Sequence, residues 1–554
     1  MESLSFISLG GVGDVTKNMY LYELGNEILI VDCGIGFVDQ SMPGVDLMIP
    51  DITYLKKIIS PAGGKKIVGM ILSHGHEDHI GALPFILPNL PQFPIYASRL
   101  TAALANEKLK DFGERDRITT VKFDDKIQLG SFNISFVRVT HSVIDAANLF
   151  IRTPVGNFYH ASDFKFDFTP VDGNPSELRK IARFGEEGVL ALFSDCLGAE
   201  RKGHSKSELK ITESFEDEFK KATGKVFVST YSSNISRMNQ AIEVALKYNR
   251  KVCFIGRSFL KARDIGRKLG YMSLPAQMEI KPQDVKRLPP SQVMILVAGS
   301  QAQVESALVR ITSGNDKDLR ILKGDTVIFS ADPIPGNEIN INSLIDSLSK
   351  KEAKVVYSAL TDEFHVSGHG SEDDLKLMIS LTNPKFLLPI GGTFRQMVAY
   401  RDIARDMGYS EDKTILLDSK KEVIFTQQGF RIGKDIEASN VYVDQVSGEE
   451  IGAYVVHDRK KIAEEGVVII IVEIDSDKGQ LVSKPDVIAK GFVYPDKDKF
   501  VVKLQLELQK VFLGRRENNN TNVLYYRKII QQKAENLLWR ERREPLVIPV
   551  VIEV

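Results

Sequence analysis

Residues 66–79 read KIVGMILSHGHEDH. The apolar run Val68–Ser73 has the composition of a buried strand, and IGALPFIL (80–87) beyond it has helical character. Between them lie His74, His76 and His79, three of the nine histidines in the chain, together with Asp78. A loop joining a strand to a helix can aim neutral imidazoles and a carboxylate at one point, which a hydrolytic zinc site requires. The order His76-Glu77-Asp78-His79 does not have the spacing of the helical HExxH motif. A polar loop with chance histidines is the plain alternative, and the tight clustering argues against it.

Further ligands should then stand at the ends of other strands, and candidates do. His141 follows ISFVRVT, and Asp163 follows NFYHAS. Asp32, after EILIV, is placed to orient a ligand from behind or to hold a water. Taken singly, each would more often be structural; the cluster at 74–79 turns them into a set.

The 554 residues are too many for one core and imply several domains. Hydrophobic content of 43% and charged content of 26% are those of an ordinary globular protein. Net charge is −1, so binding to a polyanion has to be local, through a basic groove or a metal. Three cysteines (Cys33, Cys196, Cys253) without CxxC spacing argue against a disulfide framework or a thiolate zinc cluster and suit a reducing compartment. The start, MESLSFISLGGVGD, lacks the features of a signal peptide, and no apolar run reaches the roughly 18 residues of a membrane span. A cytoplasmic location is expected.

Residues 1–205 are short apolar strands with polar residues at their ends, a sandwich pattern. From 206 to 365 strands alternate with amphipathic helices: KVFVSTYSSN, RMNQAIEVALKYNR, KVCFIGRS, QVMILVAGS and GDTVIFSADPIPGNE. Residues 366–435 supply a helix (SEDDLKLMI) and a strand (KFLLPIGG) that return to the first domain. A linker is placed at 436–445 and a small α+β domain at 446–554, with an exposed loop at GRRENNNTN (514–522).

The pattern HxHxDH with a preceding Asp, a later His and a later Asp resembles the metallo-β-lactamase superfamily. Further segments resemble the ribonuclease J family of β-CASP nucleases: GGVGDVTKNMYLYE, SDFKFD, SDCLGAERKG, GRSF, GDTVIFSADPIPGNE, HVSGHGSEDDL and REPLVIPVVIEV. These run from about residue 10 to the end. The resemblance implies an α/β architecture: a metallo-β-lactamase αββα sandwich, an inserted β-CASP α/β domain and a small α+β C-terminal domain. It implies that His74, His76 and His141 hold one metal, that Asp78 and His79 hold a second, and that Asp163 bridges the two. Asp195 matches the first β-CASP motif, and His365 matches the second and is the implied general acid; with Asp78 these are the catalytic candidates. Two zinc ions are expected, the second held weakly, and the same ligands accept manganese. The implied activity is 5′-to-3′ exoribonuclease and endoribonuclease action on RNA, in mRNA decay and rRNA maturation, by a homodimer or higher homo-oligomer.

The third β-CASP motif departs from the family. Where the family has a histidine in a segment like PxHGE, this chain reads Pro389-Ile390-Gly391-Gly392-Thr393. Three readings follow: a weak second metal site, sufficiency of one metal, or a catalytically impaired partner within an RNA-degrading assembly. A DNA substrate has only this departure in its favour. His160 belongs to the family's ordinary pattern and is not a replacement.

The resemblance also places the RNA 5′-monophosphate on Ser233, Asn234, Ser367, Gly368 and His369. Ser371 with Asp374 fits an S-x-x-D capping box, and by residues alone the loop reads as a helix cap. GGVGD lacks the third glycine of a dinucleotide loop. Gly299-Ser300-Gln301 reads equally as a tight turn or a lining of the RNA channel, and Arg540, Arg542 and Arg543 as a solvated or interface face.

Overall fold

The structure is a computed structural model describing residues 2–38, 42, 44–45, 47–334, 337–357, 364, 366–417, 420–444, 448–475, 480–493, 497–512 and 523–554. The chain forms two compact units, Met1–Phe37 with Met48–Val441, and Val38–Leu47 with Tyr442–Val554.

In the first unit the short apolar strands form two sheets. One has eight strands, in the order Gly429–Asp435, Lys421–Thr426, Leu4–Gly10, Met19–Leu24, Glu27–Val31, Lys66–Leu72, Ile95–Ala97 and Ile118–Thr120. The other has six: Phe386–Ile390, Ala191–Asp195, Gly156–Ala161, Ala147–Thr153, Phe132–Arg138 and Lys126–Leu129. Their inner faces meet through aromatic rings. Phe6 stacks on Phe193 with centroids 4.2 Å apart, and Tyr22 stands edge-on to both. Helices Leu178–Glu186, Glu372–Thr382 and Phe394–Asp406 pack with the six-stranded sheet, and Arg99–Asp111 packs along the edge of the larger one. The architecture is the αββα sandwich expected.

Ala191–Asp195 and Phe386–Ile390 are adjacent parallel strands, with Asp195 opposite Ile390. The chain between them makes an inserted domain around a wholly parallel sheet. Its order is Lys251–Ile255, Val293–Val297, Val226–Ser229, Thr326–Phe329 and Lys354–Val356. These strands read as unbroken apolar runs because both faces are covered. The core of this domain extends into the sandwich through Leu100, Val143 and Ile144.

Three charged side chains are buried at that junction. Glu208 accepts from Lys165 at 3.1 Å on one carboxylate oxygen and from Arg237 on the other. Arg237 also donates to Ser330 Oγ and to the Phe364 carbonyl, so one side chain grips both exit and return of the inserted domain. Burial works to raise the Glu208 pKa, but Arg237 and Lys165 outweigh it and hold it at about 2. The resulting stability is present above the ordinary value of 4.5 and is lost as pH falls towards about 2.

The second unit has its own core. In Val467–Ile474 alternate residues Val468, Ile470, Val472 and Ile474 are buried with Leu504, Leu508, Ile530 and Leu538 of the helices Lys497–Phe512 and Val523–Arg540. Val467–Ile474 lies between Asp486–Lys490 and Leu546–Glu553. Two boundaries differ from the sequence reading. Residues 38–47 group with the second unit, where Arg459 donates to the Gly44 carbonyl. Within the expected linker, Ser439 donates to Asp51 and Asn440 accepts from Lys17, so 436–440 is not free chain. The segment 514–522 lies outside the described residues.

Replacing Glu208 by Gln leaves two buried cations without a counter-charge. The expected loss is about 3–5 kcal/mol in urea unfolding, together with a flatter acid limb between pH 4.5 and about 2. An unaltered urea midpoint would rule out a structural role for this triad.

Candidate metal centre

The candidate residues sit just beyond the carboxyl ends of strands at one end of the sandwich. Asp32 follows Glu27–Val31, His74 follows Lys66–Leu72, His141 follows Phe132–Arg138, Asp163 follows Gly156–Ala161, and Asp195 ends its own strand. Here each strand hands over to a loop, and polar side chains can converge without breaking the ladder.

Hydrogen bonds set which imidazole nitrogen is free. Ser73 Oγ donates to Asp32 Oδ2 at 2.7 Å, so at 3.1 Å it accepts from His74 Nδ1, leaving His74 Nε2 with its lone pair. His141 Nδ1 donates to the Gly368 carbonyl at 2.8 Å, leaving Nε2. His76 Nε2 meets Ser142 Oγ at 3.1 Å, leaving Nδ1. His76 Nδ1 then stands 3.1 Å from His74 Nε2 and 3.0 Å from His141 Nε2, with Asp163 Oδ2 3.5 Å from the former and 3.6 Å from the latter. Converging lone pairs repel one another, and a cation relieves that repulsion. Burial first, then neighbouring imidazoles, hold His74 and His76 well below the usual histidine range, and burial holds His141 at about 3. Neutral imidazole is the ligating form. Three imidazole nitrogens and one carboxylate, all mutually within 4.8 Å, fit a divalent transition-metal ion.

Asp78, His79 and Asp163 form a second group. His79 Nδ1 donates to Asp32 Oδ2 at 2.8 Å, so its Nε2 faces Asp163 Oδ2 at 3.4 Å and Asp78 Oδ2 at 3.6 Å. Asp32 is fully buried and also accepts from Ser73 N, which makes it the brace for both His79 and His74. Burial raises the Asp78 pKa to about 6. The set fits a metal less fully than the first, since Asn18 Nδ2 lies 3.1 Å from the free His79 nitrogen.

Asp163 belongs to a third group, with Asp195 and His369. His369 Nδ1 lies 2.8 Å from Asp195 Oδ2, and its Nε2 is 3.8 Å from Asp163. Burial works against protonation of His369, but Asp195 and then Asp163 outweigh it and push its pKa to about 9. The sequence reading had put His369 with the phosphate-binding residues; the structure puts it against two carboxylates of the metal centre. The loop folds back because Gly368 packs on His141, where a Cβ would come within 2.6 Å of the ring. The glycine-rich loop HVSGHG carries two histidines, and spacing alone does not choose between them. His365 lies outside the described residues.

Gly391 has φ +65°, and a Cβ there would lie 3.7 Å from Asp195 Oδ1 and 3.8 Å from Asp163 Oδ1. A side chain at 391 would therefore enter the space between those carboxylates. His160 does not substitute, being fully buried among core aromatics with Nδ1 2.9 Å from the Tyr22 hydroxyl.

The remaining candidates are partly engaged. Asn234 caps helix Ile235–Lys247 by accepting from Arg237 N, and Ser367 Oγ accepts from His369 N. Ser233 directly precedes that cap. The capping box of Ser371 and Asp374 is formed. The acids of that first turn are largely neutralised: Glu372 pairs with Lys202 and Lys376, and Asp374 accepts from Ser205 N. Gln301 braces the inserted domain from both ends of its amide, donating to the Asp332 carbonyl and accepting from Ile334 N. Arg543 pairs with Glu465.

Fold and donor set together define a metallo-β-lactamase-type hydrolase interrupted by a second α/β domain. Residues 29–178 match the beta-lactamase superfamily domain, 223–348 the beta-CASP domain of ribonuclease J and 454–554 the ribonuclease J C-terminal domain. The chain is 33% identical to ribonuclease J2 of Bacillus subtilis, covering 100% of this chain and 99% of that one. It is 37% identical to ribonuclease J of Thermus thermophilus, covering 100% and 96%. A solved structure of a protein of unknown function from Enterococcus faecalis shares the fold, with TM-score 0.53 and 15% identity, covering 76% of this chain and all of that one. The chain belongs to the ribonuclease J family.

Asp32→Asn leaves one amide oxygen for three donors, Ser73 N, Ser73 Oγ and His79 Nδ1, and replaces the other acceptor with an NH2 group. Metal affinity in competition with a chelator is expected to fall about 10–100-fold, and unchanged affinity would refute the bracing role.

Proposed function

We propose that this chain is a metal-dependent ribonuclease that hydrolyses RNA phosphodiesters from the 5′ end and internally, in mRNA decay and rRNA maturation. The observation that carries the reading is the convergence of His74, His76 and His141 on Asp163 in a chain of ribonuclease J ancestry. A divalent ion held there, zinc or manganese, supplies Lewis-acid activation of water and neutralises phosphodiester charge. The chain's own residues do the rest. Asp32 fixes the His79 ring, Gly368 fixes that of His141, and Asp78 offers a carboxylate beside both His79 and Asp163. His369 holds a proton on Nδ1 against Asp195 and turns Nε2 inward, so a protonated Nε2 can pass its proton to the leaving 3′-oxygen. The sequence reading gives that role to His365, which lies outside the described residues; the contacts of His369 with Asp195 and Asp163 support His369.

Ser233, Asn234, Ser367 and Gly368 are proposed to receive a 5′-monophosphate. The Asn234 amide oxygen is committed to the helix cap, which leaves its amide nitrogen as the donor. Three buried, unpaired cysteines support a reducing, cytoplasmic setting. No helix among the described residues is long and apolar enough to cross a membrane. Assembly as a homo-oligomer is part of the same proposal.

Gly391 and the Asn18 amide favour a second reading, an impaired subunit acting beside an active partner. Metal analysis separates the two: one tightly held ion per chain with hydrolysis supports a one-metal nuclease, whereas no hydrolysis in excess zinc or manganese puts the partner subunit first. His76→Ala is expected to abolish cleavage of 5′-labelled monophosphorylated RNA. Equal rates on 5′-monophosphate and 5′-triphosphate ends would refute the phosphate pocket. His369→Ala should lower kcat by about 10²–10⁴-fold with metal content retained; loss of metal instead would make it a ligand.

A further inference from the structure

A large concavity lies where the sandwich helix Arg99–Asp111 faces the inserted-domain helix Arg257–Leu269. Its volume is about 890 Å³, within the roughly 300–1,000 Å³ typical of small-molecule sites. Its charge is better judged after internal pairs are set aside. Most carboxylates in its wall have a cation beside them: Glu107 has Lys261, Asp116 has Lys110, Asp264 has Arg263, and Asp124 and Glu177 share Lys180, whereas Asp145 is held only by the neutral Tyr271 hydroxyl. Arg99, Lys122, Arg138 and Lys268 also line it, and among the described residues none has a carboxylate partner. The wall thus carries four cations outside any ion pair, against one carboxylate, Asp145, that has no cation of its own.

Two of those cations are held on aromatic rings. The Arg99 guanidinium lies 5.7 Å from the Tyr271 centroid and that of Arg138 4.5 Å from the Phe123 centroid. Arg138 Nη1 donates to Asn174, and its buried Nε has no protein partner. Cation–π contact fixes a guanidinium in place while leaving its N–H fork free for an oxyanion. The exposed face of a stacked guanidinium is also a platform for a planar base.

The cavity is separate from the metal centre. The space lined by Arg138, His141, Ser142 and Asp145 is about 30 Å³, room for about one or two waters and not for a nucleotide. A ligand on Arg138 would nonetheless touch the segment 138–145 that carries His141.

We propose that this cavity is a binding site for a nucleoside 5′-phosphate, gripped through its phosphate by the Arg99 and Arg138 guanidiniums and stacked through its base. The proposal does not rest on the nuclease reading.

Isothermal titration with ADP tests it, with adenosine and inorganic phosphate as controls. Saturable ADP binding is expected in the wild type and, undiminished, in His76→Ala. Arg99→Gln should weaken it about tenfold or more, as loss of a charge-assisted contact does. Lys268→Gln, on the cavity rim, gives a second variant in case Arg99→Gln is unstable, and thermal melting verifies the fold of each. No ADP binding at millimolar concentration would overturn the site. Binding abolished by His76→Ala and untouched by Arg99→Gln and Lys268→Gln would place it at the metal centre instead. Inorganic phosphate binding as tightly as ADP would overturn the nucleotide assignment.

Discussion

One carboxylate oxygen organises this end of the molecule. Asp163 Oδ2 stands 3.4–3.8 Å from imidazole nitrogens of His74, His79, His141 and His369. Burial would by itself raise the Asp163 pKa, but His79, His369 and His74 outweigh it and hold it well below the usual carboxylate range. So many polar groups around one buried atom persist only when each is held from behind. Asp32 and Ser73 hold His79 and His74, Gly368 holds His141, and Asp195 holds His369. The braces come from both sheets and from the loop that returns out of the inserted domain. The site therefore forms only when the whole sandwich is closed.

The inserted domain is part of that closure. Lys165 lies two residues beyond Asp163, and Thr140, next to His141, accepts from its backbone N–H. Through Glu208 and Arg237 the same lysine is tied to Ser330 and to Phe364, at the start of the loop carrying His369. Val143 and Ile144, just past His141, pack in the core of the inserted domain. A shift of that domain thus reaches two sides of the metal centre at once. A buried triad is weak evidence for stability on its own, and its interest here lies in which segments it joins.

What could be read from the sequence was whatever is local. The 74–79 cluster is contiguous, and His141, Asp163 and Asp32 announce themselves as polar residues at the ends of apolar strands. The βα alternation of 206–365 likewise follows from period and composition. Harder to read were contacts closed across long stretches of chain. His369 meets Asp195 from 174 residues away, and Gly368 meets His141 from 227. The role of Asn18 beside His79, and of residues 38–47 in the second unit, also has no local signal.

Gly391 shows the limit from the other direction. Its position was legible by comparison with a motif, but its consequence depends on where its missing side chain would point. With φ +65° and both Asp163 and Asp195 within 3.8 Å of an ideal Cβ, the glycine removes a group from between two acids while suiting a left-handed backbone. Its amide donates to the Gly11 carbonyl at 2.7 Å, so the strand end is pinned whatever stands there. The loss is thus confined to the side chain, and the scaffold around it is intact. The same end of the sandwich then holds a first site with four protein donors and a second with three, one of them already met by the Asn18 amide. Chemistry that needs one ion is open to this geometry as it stands, whereas chemistry that needs two has to draw its missing donor from solvent or substrate.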